Sequence, residues 1–83
     1  MLYEKIKHLK KNDKLSAIAH SNLAKKYAKK YSYEKSNKKK NFILMEYHNM
    51  VFNSTLRFGK LDNKEKKIAM ENAKRLANYY YYG

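Results

Sequence analysis

Apolar residues recur along this chain every three or four positions, the spacing that lines one face of an α-helix. Leu2, Ile6 and Leu9 form the first stripe among lysines and predict a helix over residues 2–11. Leu23, Ala24, Tyr27, Ala28 and Tyr31 form the second and predict a helix over 14–33. Lys25, Lys26, Lys29 and Lys30 gather on the opposite side of that helix. Leu15 and Ile18 fall off the main stripe, so its start is expected to make a further contact. The stretch Leu15–Tyr31 has a faint helix-turn-helix look, but it lacks a glycine or other break, which favours one continuous helix. Residues 35–40, with Lys35, Lys38, Lys39 and Lys40, read as a charged connector.

The third helix, over 42–57, is apolar nearly all round. Ile43, Tyr47, Met50, Val51 and Phe58 make one stripe, and Met45, Phe52 and Leu56 make another almost opposite. Only Glu46, Asn49, Asn53 and Arg57 form a polar wedge, so this helix is expected to be central. A strand over 41–52 would alternate poorly. The fourth helix, over 63–80, lines Ile68, Ala69, Asn72, Ala73, Leu76, Ala77 and Tyr80 on one face. Ala69, Ala73 and Ala77 form a smooth ridge for close helix approach. With Tyr80, Tyr81 and Tyr82 they make a candidate association surface, with a homodimer as the matching partner. Stacking on bases is the other use of such a tyrosine run.

The breaks fall at Asn12–Asp13, Ser36–Asn37 and Leu61–Asp62–Asn63, residue types that cap helices. Gly59 reads as a helix stop, and Asp62 with Glu65 resembles a capping box. The chain has no proline and only two glycines, Gly59 and Gly83, fewer than a β-sandwich or α/β protein uses in its turns. The pattern therefore predicts an all-α fold over residues 1–83: one small bundle of three or four helices, the third in the middle.

Size and composition then limit how well such a bundle can pack. A chain of 83 residues buries only about 60–65% of the surface its unfolded form exposes. Leu, Ile, Val and Phe make up 16 residues, just under a fifth, which borders on the composition of disordered chains. Nine tyrosines and four methionines restore apolar bulk. A dimer, or ordering on a partner, would relieve a core this thin.

Charge gives the strongest functional signal. The net charge is +13, and lysine outnumbers arginine 18 to 2. AT-rich codons explain some of the lysine, asparagine and tyrosine, but not the shortage of glutamate. Residues 1–40 carry 13 lysines against 3 acids, and residues 41–83 carry 7 basic residues against 4 acids. This lopsided excess points to a polyanionic partner. Lys25, Lys26, Lys29 and Lys30 span roughly 7–8 Å along one helix, which suits adjacent phosphates, and Lys35, Lys38, Lys39 and Lys40 extend the patch. Lysine acts as a point charge, whereas bidentate base reading mostly uses Arg, Asn and Gln. Backbone recognition of DNA or RNA with little sequence preference is therefore expected.

Enzyme chemistry is not legible. His8, His20 and His48 are far apart in sequence, no cysteine is present, and no metal-ligand or phosphate-loop motif occurs. Neither a cofactor nor a metal is called for, and His20, beside the Leu23–Tyr27 stripe, reads as a partly buried structural histidine. No apolar run approaches the roughly 18–20 residues of a membrane span, and the charged start does not resemble a signal peptide. The second helix is basic and amphipathic, but its tyrosine–alanine face would insert weakly into a membrane. The cytoplasm is the expected compartment, a host's cytoplasm if the chain is viral. The rival expectation is a protein-binding inhibitor or adaptor of a virus or mobile element, of the anti-defence type, docking on an acidic host protein or nucleoprotein.

Overall fold

The computed structural model describes residues 6–59 and 63–81. Within them the protein is all-helical: α1 spans Lys11–Tyr33, α2 Lys38–Phe58 and α3 Asn63–Tyr80, with no strand among the described residues. Residues 2–5 of the first expected helix, Leu61 and Asp62 of the third break, and Tyr82 lie outside the described residues.

The first break is displaced from its expected place. The chain turns at residues 6–9, where the Leu9 N–H donates to the Ile6 carbonyl at 3.0 Å. α1 then starts at Lys11, after an extended Lys10. Asn12 and Asp13 therefore lie inside the helix rather than before it. A carboxylate in the first turn faces the positive end of the helix dipole, so Asp13 is as well placed there as at a cap. Ile6 and Leu9 are buried and cluster with Ala17, while Phe52 and Leu56 of α2 pack against them.

The second correction concerns the connector. Lys38, Lys39 and Lys40 form the first turn of α2, so the link between α1 and α2 is only residues 34–37. Asn37 reverses the chain in the left-handed conformation, φ 61° and ψ 25°, which asparagine tolerates better than most residues. The buried Asn41 amide donates to the Glu34 carboxylate at 3.2 Å and ties the two sides of the turn. At its other end α2 stops at Gly59, φ 74°, whose N–H donates to the Thr55 carbonyl.

α2 packs against α1 and against α3, while α1 and α3 meet each other only marginally. The most deeply buried positions in these contacts are held by small residues. Ala17 is buried in α1, and Val51 and Thr55 of α2 are the largest fully buried side chains among the described residues. The Thr55 hydroxyl is satisfied within its own helix by the Val51 carbonyl at 2.9 Å. Ala69, Ala73 and Ala77 are all buried. The alanine ridge is thus used inside the chain, against α2, rather than offered to a second copy. Of the association surface expected from sequence, the three alanines are therefore buried within the chain, while Tyr80 is exposed. Small side chains let two helix backbones approach, and these two do so within one molecule.

Ala73 is 0% exposed, so a larger side chain there has no outlet. Ala73→Leu is expected to destabilise the fold by about 1–3 kcal/mol through overpacking. Urea melts of the variant and the parent check this, and an unchanged midpoint would mean that the ridge does not carry the α2–α3 contact.

Candidate nucleic-acid interface

α1 and α2 form an antiparallel hairpin, so residues before and after the 34–37 turn share one end of the molecule. Lys25, Lys26 and Lys29 are exposed along the last turns of α1, and Lys30 is half-buried. Lys35 is exposed in the turn. Lys40 is exposed and Lys38 and Lys39 half-buried in the first turn of α2. The hairpin thus brings Lys29 and Lys30 to the same end as Lys35, Lys38, Lys39 and Lys40. Lys25 and Lys26 lie about one helical turn further down.

Tyrosine rings interleave with these cations. The Lys26 and Lys30 ammoniums lie 5.8 and 5.6 Å from the centroid of Tyr27, and Lys38 lies 4.7 Å from that of Tyr31. Lys38 also donates to the Tyr31 carbonyl, so its stem bridges from α2 back to α1. Among the described residues, no carboxylate pairs with any of the eight lysines. Glu34, the nearest acid in sequence, is turned towards Asn41 instead.

Two features strengthen the positive field beyond the lysine count. The first turn of α2 contains no acid, and Asn37 makes no side-chain capping bond there. Three lysines then crowd the positive end of a helix dipole, an arrangement unfavourable by roughly a few tenths of a kcal/mol per charge. From α3, Lys74 joins Lys38, Lys39 and Lys40 around a cleft of about 630 Å³ floored by Ile43, Leu44 and Met70. Sequence reasoning missed Lys74, because only the packing of α3 on α2 carries it to the basic end.

The tyrosine end of α3 arrives at the same place. Tyr81 is half-buried and shares a hydroxyl–hydroxyl hydrogen bond with Tyr31, while Tyr80 remains exposed. Phe42 lies 5.8 Å from the rings of both Tyr80 and Tyr81.

The structure also joins two histidines that are separate in sequence. His20 of α1 and His48 of α2 meet Nδ1 to Nδ1 at 3.0 Å, either nitrogen donating. Tyr27 stacks on His48 at 5.8 Å, and the Tyr47 ring lies edge-on to both imidazoles. Burial, with the Lys66 charge from α3 behind it, lowers the pKa of His20; burial and then His20 itself lower that of His48. The bond needs one imidazole to accept, so at least one of the two is neutral. Among the described residues, no three His, Cys, Asp or Glu side chains group closely enough to hold a metal. No helix among the described residues is long and apolar enough to cross a membrane.

No known family model, curated protein or solved structure matches this chain.

The histidine pair fixes a sign for the pH dependence. An unfolded imidazole titrates near 6.5, and both of these titrate lower in the fold. Between the two values the unfolded chain holds more protons. The stability associated with the neutral pair is therefore present above pH 6.5 and falls as pH drops through that window. In urea melts from about pH 7.5 to about pH 5, His20→Gln with His48→Gln should flatten the decline seen in the parent. A decline equally steep in the double variant refutes the role of the pair.

Proposed function

We propose that this protein binds nucleic-acid phosphates through the lysine surface formed by Lys25, Lys26, Lys29, Lys30, Lys35, Lys38, Lys39 and Lys40, with little sequence preference. The observation that carries this reading is the convergence of these lysines at the hairpin end with no pairing carboxylate among the described residues. A merely solubilising surface mixes both signs of charge. Here repulsion between neighbouring lysines is left uncompensated, and a polyanion would relieve it. Lysine without arginine favours contact with the phosphate backbone over base edges.

If about six phosphates are contacted, log affinity for duplex DNA should fall with log salt at a slope of about −5. Replacing Lys25, Lys26, Lys29 and Lys30 with glutamine should bring that slope to about −2, since each lysine lost removes roughly one unit. Anisotropy titrations across salt concentrations measure both slopes. Binding that ignores salt, or a quadruple variant with an unaltered slope, sinks the proposal.

A second reading, a protein-binding inhibitor or adaptor, is favoured by one observation. Leu15 is 59% exposed and Ile18 36%, one turn apart on α1 and away from the basic end. Such a pair suits the apolar face of a partner. Capture from a lysate with and without nuclease separates the two: a partner retained after nuclease treatment and lost in Leu15→Ser with Ile18→Ser supports the second reading.

A further inference from the structure

Two apolar surfaces flank Lys38 at the basic end, and both are open. One is an aromatic ledge. Phe42 lies 5.6 Å from Tyr31 and 5.8 Å from Tyr80, and Tyr80 meets Tyr79 edge-on at 5.2 Å. The outer rings of this ledge are bare: Tyr79 is 76% exposed and Tyr80 62%. The other surface is the aliphatic cleft floored by Ile43, Leu44 and Met70 and rimmed by four lysines, Lys38 among them. Each surface thus offers a place for a flat apolar group within reach of cations.

A duplex makes poor use of this arrangement. Its base faces are stacked inside, so it presents phosphates, sugars and base edges, and a ring-sized apolar surface finds no counterpart. A single strand splays its bases, whose faces stack on aromatic side chains while the phosphates follow the cations. The tyrosines also tolerate any base, because every base has a π-face. That agrees with a surface poor in arginine.

We infer that the basic end selects single-stranded nucleic acid over duplex, with base faces against Tyr79 and Tyr80 and phosphates on Lys38 and its neighbours. This rests on the phosphate-binding reading above and names the form of nucleic acid that fits it. The preference cannot come from the lysines alone. A duplex has the higher charge density, so pure phosphate attraction favours duplex.

The chain has no tryptophan, so its tyrosines report binding directly by fluorescence. The test titrates the full chain with a single-stranded oligonucleotide of about 15 nucleotides and with the duplex of the same sequence, at matched salt. Tyrosine emission should be quenched by the single strand, which should bind at least about fivefold tighter than the duplex. Tyr79→Leu with Tyr80→Leu should weaken single-strand binding about tenfold and leave duplex binding unchanged. Tyr79→Phe with Tyr80→Phe keeps the rings and should keep the affinity. Far-UV circular dichroism confirms that each variant retains its helices. Duplex binding as tight as single-strand binding, or no loss in the leucine variant, overturns the inference while salt-dependent phosphate binding stands. Absence of salt-dependent binding to either form overturns both.

Discussion

Buried volume is the scarce quantity in this fold, and most of its features trace to that. Among the described residues, the fully buried positions are held by alanine, valine and threonine, with Val51 and Thr55 the largest of them. Helices joined by such residues approach closely, so their longer side chains are displaced to the edges of each contact. Among the described residues, tyrosine, methionine and every leucine but Leu9 therefore end half-buried or exposed, and lysine stems cover what they can. The ledge of Tyr79, Tyr80 and Phe42 and the cleft over Ile43, Leu44 and Met70 both arise where bulk that the interior cannot hold meets solvent.

The charge distribution follows from the hairpin. A four-residue link forces the end of α1 and the beginning of α2 together, and both carry lysine. Asn37 sets the reversal and Lys38 spans it through the Tyr31 carbonyl. Each lysine cluster is an ordinary helical surface when taken alone. Folding superposes them, adds Lys74 from α3, and aligns them with the positive end of the α2 dipole. The electrostatic field of this end therefore belongs to the tertiary structure more than to any one helix.

Much of the architecture was legible in the sequence because it rests on local periodicity. The helical class, the lysine face of α1, the stop at Gly59 and the stripe of α3 all follow from 3.6-residue spacing and turn chemistry. Two boundaries were misplaced where residue type is ambiguous. Asn12–Asp13 serves a first turn as well as a cap, and Lys38–Lys40 are good helix formers whose charge resembles a linker. What could not be read was long-range. The His20–His48 bond joins residues 28 positions apart, and neither sits in a pattern that points to the other. The alanine ridge was visible as a ridge, but periodicity does not say whether the approaching helix belongs to the same chain.

The arrangement of the three helices has one more consequence. The protein measures 40 × 26 × 16 Å along its principal axes, so its shortest dimension is well under half its longest. α2 touches a neighbour on either side, yet all of residues 42–48 keep some contact with water. The protein is thus closer to a plank than to a ball, and its depth has a ceiling set by geometry. Enlarging a residue on a broad face of α2 adds area that meets only water. A deeper interior would require a second layer laid on a broad face, so the faces of the plank, more than its edges, are where this architecture can still grow.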